Sequence, residues 1–165
     1  MTAPRIILGI DLGLDGAVAE LTSSGELLAI HDMPTLHDGP AGRRSVNAVL
    51  LSTIIAKTGA AQAYVEYVGA RPGEAPSGAF SFGRSRGVTE GICATLNVHV
   101  VFLTPPQWHR RVSIPAGTNK DLSRSAAIAR WPSRAEWFAL KKWDGRSDAA
   151  LIALAGLMID GSVSR

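Results

Sequence analysis

Short apolar runs separated by polar turns fill the first part of the chain. Ile6 to Leu12, Ala17 to Leu21 and Glu26 to His31 each have the length and composition of a strand, and glycine-containing turns separate them. Consecutive strands that are joined by short turns pair in an antiparallel manner. The pattern therefore predicts a three-stranded antiparallel meander.

Helical spacing of apolar residues follows this meander. A Pro- and Gly-rich loop is predicted from Met33 to Arg44, and Ser45 is expected to cap a helix that ends before Gly59. The elements predicted after it are a strand at 63–68, a long helix at 77–96, a strand at 98–103, short helices at 104–111, 120–130 and 133–142, and a last helix from Asp144 to Ile159. Five strands and these helices predict an α/β fold with a central mixed sheet flanked by helices.

Two of the predicted strands carry an acidic residue inside an apolar run. Asp11 lies within the first run, Ile6 to Leu12, and Glu66 lies in Ala63-Tyr-Val-Glu-Tyr-Val68. Burying a lone carboxylate is costly, so each acid needs a partner, either a metal ion in a functional cleft or a hydrogen-bonded turn. Gly9 and Gly13 share the face of Asp11 at period two, so that face is predicted to admit a close approach.

The start of the last predicted helix carries two further acids one turn apart. Asp144 and Asp148 fall on one face of this helix. Asp144 has a second interpretation as an N-cap, because an Asp just ahead of an apolar run is typical of a helix start. Asp148 is harder to explain in that way, since Ala149 and Ile152 beside it are predicted to face the core.

The composition indicates a globular protein with an aliphatic interior. Of the 165 residues, 46% are hydrophobic and 19% are charged, and this length predicts one domain over residues 1–165. Cys93 lies in an apolar helical pattern and is expected to be a small core residue. No secretory signal and no apolar run of about 20 residues is readable, so we expect a cytoplasmic protein without membrane contact.

Positive charge is concentrated in the second half of the chain. Residues 71–146 contain twelve Lys and Arg against five Asp and Glu, whereas the formal net charge of the whole chain is only +3. Such an asymmetry predicts a polyanionic partner.

Three glycines recur at every fourth residue of the long predicted helix. Gly83, Gly87 and Gly91, here named the glycine strip, each cost about 1 kcal/mol relative to alanine inside a helix. The strip therefore predicts the close approach of another backbone, which is the protein's own sheet, a second subunit or a nucleic acid strand.

A set of short motifs runs through nearly the whole chain in a fixed order. They are Gly9-Ile-Asp-Leu-Gly-Leu-Asp-Gly-Ala17, Asp32-Met-Pro34, Val65-Glu-Tyr-Val68, Arg71-Pro-Gly73, Ser81-Phe-Gly-Arg-Ser-Arg-Gly87, Thr104-Pro-Pro-Gln-Trp108, Asn119-Lys120 and Lys141-Lys-Trp-Asp-Gly-Arg-Ser-Asp-Ala-Ala-Leu-Ile-Ala153. Together with the order of strands, helices and acids, this set resembles the ribonuclease H-like superfamily, and within it the RuvC-like Holliday junction resolvases of the small phage-type branch.

The resemblance implies metal-dependent phosphodiester hydrolysis on four-way or branched DNA. It implies that four acids converge and bind Mg²⁺, with Mn²⁺ able to substitute: Asp11, Glu66, Asp144 and Asp148. It also implies DNA contacts from aromatic and basic residues near the motifs, namely Phe80, Phe82, Arg84, Arg86, Arg110, Arg111, Lys120, Lys141, Lys142 and Arg146.

The substrate also leads to an expectation about assembly. Resolving a four-way junction requires two nicks in opposed strands, whereas one chain has acids for one site. A homodimer with twofold symmetry is therefore expected, with the glycine strip as a candidate interface. Two other functions stay open, a ribonuclease H-like nuclease acting on RNA/DNA hybrids and a catalytically silent branched-DNA-binding module.

Overall fold

The computed structural model describes residues 5–39, 42–67, 69–70, 72–115 and 121–164. The strands are β1 (Ile6–Ile10), β2 (Ala17–Thr22), β3 (Leu27–Asp32), β4 (Thr35–His37), β5 (Arg44–Val46), β6 (Gln62–Glu66) and β7 (His99–Leu103). Five of them form one sheet in the order β3-β2-β1-β6-β7. The first three pair antiparallel, and β1, β6 and β7 run parallel, so the predicted mixed sheet and its meander are confirmed.

Helices cover both faces of the sheet. They are α1 (Ala48–Thr58), α2 (Pro76–Thr95), α3 (Pro105–Arg111), α4 (Asp121–Arg130) and α5 (Asp144–Ile159), with two 3-10 helices at Pro132–Phe138 and Lys141–Trp143. The first helix ends as predicted, because Gly59 adopts the left-handed conformation (φ 63°) that closes its last turn. Short helix α3 starts with a capping box between Thr104 and Gln107.

Alternation along β1 divides the interior into two cores. Leu8 and Ile10 point to the side of α1 and α2, where they pack with Leu51, Ile55 and Cys93. Residues of opposite parity point to α5, which is buried along most of its length. Cys93 is fully buried and burial raises the pKa of its thiol to about 11, so its predicted role in the core is confirmed.

Two predictions for the segment between β3 and α1 are wrong. Part of the expected loop forms a small hairpin in which β4 pairs antiparallel with β5. Ser45 belongs to β5, and Asn47 is the N-cap of α1, its side chain accepting a hydrogen bond from the backbone N–H of Leu50 (3.2 Å). The extended backbone continues through Val46, which moves the helix start by two residues.

The glycine strip faces away from the sheet. Apart from the neighbouring backbone of α2 itself, a Cβ added at Gly83, Gly87 or Gly91 would meet no atom of the described residues within 4 Å. Packing of the strip against the protein's own sheet is therefore excluded. Its neighbours Val88 and Ile92 do pack against the core of the α1 and α2 side.

Within the described residues, no helix is both long enough and apolar enough to cross a membrane.

Candidate active site

The register of the two central parallel strands brings two acids together. Ile10 of β1 pairs with Val65 of β6, so Asp11 and Glu66, one residue further on, lie side by side at the carboxyl ends of these strands. Neighbouring strands are about 4.8 Å apart. Side chains two residues apart on a strand point to the same face of the sheet. Asp11 therefore points to the same side as Gly9, and Glu66 to the same side as Tyr64, which is the side of α5.

Helix α5 reaches this edge because glycines remove the side chains in its way. A Cβ on Gly9 would lie 2.0 Å from the carbonyl oxygen of Ala149, and a Cβ on Gly145 would lie 2.3 Å from the carbonyl oxygen of Asp15. Both distances are impossible for real atoms, so neither position tolerates a side chain without movement of the helix. The predicted close approach at Gly9 is confirmed, and the approaching element is α5.

The residues of α5 that contact the sheet edge show where Asp144 and Asp148 lie. Ala149 and Ala153 contact Gly9 of β1, and Gly145 contacts the turn that follows β1. Asp144 and Asp148 directly precede Gly145 and Ala149. The Cβ position of Gly145 is 3.1 Å from Oδ2 of Asp11, which brings the first turn of α5 next to that carboxylate. One oxygen of Asp148, Oδ1, is shielded from solvent.

Asp144 is not an N-cap. Its backbone is helical (φ −56°, ψ −37°), and Trp143 takes the cap position without a side-chain hydrogen bond. An acid in the first turn interacts favourably with the helix dipole. Asp144 also lines a cavity of about 520 Å³, shared with Asp15, Asp32 and Lys141 among others.

The side chain of Asp11 is hydrogen-bonded to the turn that follows β1, as expected for an Asp at a strand end. Its Oδ1 accepts a hydrogen bond from the backbone N–H of Gly13 (3.1 Å), and its own N–H donates to the carbonyl of Ala17 (3.0 Å). These bonds fix the residue directly after β1. The carboxylate is held in place by the turn while it remains half-buried beside α5.

A buried tryptophan orients Glu66. Trp108 on α3 is 1% exposed, and its indole Nε1 donates a hydrogen bond to Oε1 of Glu66 (3.2 Å). The motif Thr104-Pro-Pro-Gln-Trp108 pointed to this region, but its spacing gave no indication of the contact with Glu66, since 42 residues separate the partners.

The acids do not form a ready-made ligand cluster. Among the residues that the structure describes, no three His, Cys, Asp or Glu side chains stand together in a way that could hold a metal ion. The donor chemistry is nevertheless suitable, since hard carboxylate oxygens suit Mg²⁺ and Mn²⁺. Asp11, Glu66, Asp144 and Asp148 are all half-buried near one edge of the sheet.

An ion pair fastens the beginning of α5 to the edge of the sheet. Arg146 donates to both carboxylate oxygens of Asp32, from Nε (2.6 Å) and from Nη2 (2.7 Å). Its guanidinium lies 3.9 Å from the ring centroid of Trp143. The hydrogen bond from Arg146 lowers the pKa of Asp32 below its usual value. Sequence reasoning assigned Arg146 to DNA and missed this pair, because 114 residues separate the partners.

Other predicted DNA-binding residues also have partners within the protein. Arg84 forms an ion pair with Asp38. Arg86 lies between the rings of Tyr67 (4.7 Å) and Phe102 (4.3 Å) and pairs with Glu90. Their guanidinium groups are held on the protein surface.

The remaining predicted basic residues lie in three places. Lys141 is 83% exposed and 3.6 Å from Asp121, and Lys142 lies over the ring of Trp143 (5.7 Å). Arg110 and Arg111 line a separate cavity at the end of α3. Lys120 lies outside the described residues, as do Val68, Arg71 and Asn119 of the motif set.

The two predicted aromatic contacts are on the surface of α2. Phe80 is 72% exposed and Phe82 is 41% exposed, so neither is a core residue. Large exposed aromatic rings on a basic surface are available for stacking.

Comparisons with known proteins agree with this architecture. RuvC of T. thermophilus in complex with a Holliday junction substrate is similar to this chain with a TM-score of 0.68 and 16% sequence identity, over 96% of this chain and 98% of that one. A second T. thermophilus RuvC structure gives a TM-score of 0.65 at 16% identity, over 94% and 97% of the two chains. No protein-family model and no curated protein matches the sequence. The chain therefore has a RuvC-like fold of the ribonuclease H-like type.

Proposed function

We propose that this protein is a structure-selective endonuclease that cuts Holliday junctions and other branched DNA by metal-dependent phosphodiester hydrolysis. The observation that carries the proposal is the pair Asp11 and Glu66 at adjacent strand ends, beside the first turns of a helix that holds Asp144 and Asp148. The RuvC-like fold supports it, since one similar structure is a complex with a Holliday junction substrate.

The four acids would hold Mg²⁺ or Mn²⁺ after side-chain rotation. Trp108 would keep its hydrogen bond to Oε1 of Glu66, and the N–H of Gly13 would keep its bond to Oδ1 of Asp11, while the second oxygen of each carboxylate would bind the metal. When bound, the metal would supply an activated water and neutralise charge on the phosphate. The backbone around the acids is fixed by the packing of α5 on β1, so only side chains need to move.

DNA binding is proposed to use the exposed basic and aromatic residues. Arg110, Arg111, Lys141 and Lys142 would contact phosphates, which gives salt-sensitive binding that is independent of sequence. Lys120 is kept as a further candidate on the same grounds. Arg84, Arg86 and Arg146 would reach DNA only in addition to the internal contacts described above.

We further propose that the enzyme belongs to the phage-type branch, acts in the cytoplasm and works as a homodimer. The ordered motif set supports the branch. The dimer is supported because resolving a junction needs two nicks in opposed strands.

The test is cleavage of a labelled synthetic four-way junction, compared with a linear duplex and an RNA/DNA hybrid. We expect nicking of the junction with Mg²⁺ or Mn²⁺ and none with Ca²⁺, whose longer and looser coordination does not provide the geometry for attack. Preferential cutting of the hybrid would support the alternative nuclease. Full activity in EDTA would contradict a metal mechanism.

Substitutions at the acids complete this test. Asp11→Asn and Glu66→Gln should abolish cleavage while junction binding stays intact or becomes tighter, because negative charge is removed near the DNA. Glu26→Gln is the matched control, since Glu26 is an exposed acid at the far end of the β2–β3 hairpin. Wild-type cleavage by either site variant would refute the site, and junction binding without any cleavage by the wild-type protein would indicate a silent binding module.

A further inference from the structure

An arginine of α2 is held against the end of strand β6. The guanidinium carbon of Arg86 lies 4.7 Å from the ring centroid of Tyr67 and 4.3 Å from that of Phe102. The two rings meet edge to face, with their centroids 6.1 Å apart. Glu90, one turn further along α2, accepts a hydrogen bond from Nε of Arg86 (3.0 Å). Two ring contacts and an ion pair therefore fix this side chain, which is only 28% exposed.

Both rings stand beside the strand end that carries Glu66. Tyr67 directly follows Glu66, and Phe102 lies on β7, the strand that pairs with β6. Glu66 is the last residue of β6, and the next element, α2, begins ten residues later at Pro76. The N–H of Tyr67 donates to a carbonyl oxygen of β7 (2.8 Å), which continues the strand pairing one residue past Glu66. Arg86 therefore holds the chain where the regular strand stops.

This contact restrains Glu66 from the opposite face of the sheet. Successive side chains along a strand point to opposite faces. Glu66 points to α5, so Tyr67 points to α2, where it meets Arg86. Trp108 holds the carboxylate of Glu66 on one face, and Arg86 holds the next residue on the other. The two restraints act on adjacent residues, so each limits the movement that the other would allow.

The stacked contact requires arginine, whereas a phosphate contact would not. A guanidinium is planar and stacks on aromatic faces, and the ammonium of lysine is a compact point charge. Lysine nevertheless binds phosphates through its charge. Arg86→Lys therefore removes the stacking and keeps the charge. It separates a role inside the protein from the DNA contact that the family resemblance implied.

We propose that Arg86 is a positioning residue that acts through Tyr67 to hold Glu66 in place for metal binding, rather than through a contact with DNA. This inference rests on the proposed function, because it gives Arg86 a task in the reaction proposed there.

The first measurement needs neither metal nor DNA. A ¹H–¹⁵N spectrum contains one indole N–H signal for each of the four tryptophans, and Trp108→Phe identifies that of Trp108. Because this indole donates to Glu66, a displaced carboxylate should shift its signal. We expect the shift in both Arg86→Lys and Tyr67→Leu. The signal of Trp131 should stay in place, since its acceptor is in the β2–β3 turn.

The second measurement separates binding from chemistry. Arg86→Lys should lower single-turnover cleavage of a saturating four-way junction about tenfold and leave junction affinity within about twofold, as for a group that orients a ligand. Tyr67→Leu should cause a similar loss. The double variant should lose no more than either single variant, because both changes remove the same contact.

Arg130→Lys is the matched control for the loss of a stacked guanidinium. Arg130 lies over the ring of Trp131 (5.8 Å) and reaches Gly25 in the β2–β3 turn, away from the acids. This variant should cut junctions at the wild-type rate.

Both test variants should fold, since Tyr67 is 47% exposed and Arg86→Lys keeps the charge, and thermal unfolding checks this. An unmoved Trp108 signal in both variants would overturn the proposal, as would a loss confined to junction affinity. If the wild-type protein cuts junctions and Arg86→Lys cuts them equally well, only the role of Arg86 is refuted. If the Trp108 signal shifts as expected but the wild-type protein cuts no junction, the restraint on Glu66 is supported and the proposed function fails.

Discussion

At the scale of single residues, the alternation of side chains along two strands decides which residues belong to the site. Asp11 and Glu66 interrupt apolar runs, and their side chains share the face on which α5 packs. Period-two alternation let the sequence identify Asp11, Gly9 and Glu66 as members of this region. Trp108 could not be assigned to Glu66 in the same way, because the contact depends on how α3 packs after β7.

The tryptophan contact leads to a prediction about activity. Trp108→Phe keeps a buried aromatic ring but removes the Nε1 donor to Glu66, so we expect junction cleavage to fall about tenfold or more, as for other groups that orient ligands. The free energy of unfolding should fall by about 1 kcal/mol, because the half-buried carboxylate of Glu66 loses a hydrogen-bond donor. Single-turnover cleavage and thermal unfolding measure the two effects.

Trp131→Phe is the matched control for this variant. Trp131 is also buried, and its Nε1 donates to the carbonyl oxygen of Gly25 (3.0 Å), away from the acids. It should lose stability while cleaving at the wild-type rate. Equal cleavage by Trp108→Phe and Trp131→Phe would show that the indole of Trp108 has no role in the site.

Among the elements, α5 has the largest part in assembling the site. Its small residues allow it to contact the sheet: Gly9 meets Ala149 and Ala153, and a Cβ on Gly156 would lie 2.2 Å from the ring of Tyr64. The sequence predicted the bounds of α5 because apolar residues fill most of it. The β4–β5 hairpin was missed because its strands have three residues each and lie in a Pro- and Gly-rich segment.

The ion pair between Asp32 and Arg146 makes the attachment of α5 sensitive to acid. The pKa of Asp32 is lowered in the folded state, chiefly by its hydrogen bond from Arg146, so this stabilisation is complete above the ordinary Asp value of about 3.9 and is lost as pH falls through the lowered value. Since the carboxylate of Asp32 is 56% exposed, the contribution should be about 0.5–1 kcal/mol.

Chemical denaturation of the wild-type protein and Asp32→Asn between pH 6 and pH 3 tests this attachment. The variant should be less stable at pH 6, and the difference should begin to shrink as pH falls below about 4 and disappear only below the lowered pKa of Asp32. Arg146→Gln should show the same convergence, whereas Glu26→Gln, an exposed acid without an ion pair among the described residues, should match the wild type throughout. A difference that persists unchanged at pH 3 would mean that the pair does not contribute through its charge.

At the scale of the whole molecule, the exposed surface of α1 and α2 is the candidate contact with a second copy of the chain. The glycine strip faces outward from its own chain, and Val49 and Leu50 on α1 are 74% and 51% exposed. Small residues allow close approach of a second helix, and the apolar side chains add area to bury. The sequence left three explanations for the strip open because helical periodicity alone does not show which face of α2 meets the sheet.

We expect a dimer of about twice 17.4 kDa in light scattering, with paired nicks on a four-way junction. Gly87→Leu should give a folded monomer that cuts junctions poorly, because the larger side chain keeps the second helix away. Ala129→Leu, an exposed change on α4 across the sheet, should remain dimeric. A Gly87→Leu protein that stays dimeric would move the interface elsewhere, and a wild-type monomer making paired nicks would refute the assembly.

The position of α5 in chain order has a consequence for synthesis on the ribosome. Asp11 is translated 133 residues before Asp144, which corresponds to roughly 7–27 s at about 5–20 residues per second. During that interval one face of the nascent sheet lacks α5, the helix that packs on β1 and β2, and Gly9 and Tyr64 lack their partners. Unfinished chains would therefore expose an apolar surface that a holding chaperone could bind, and they would lack two of the four acids. Under the proposed function, a newly made chain could not cut DNA until α5 had left the ribosome.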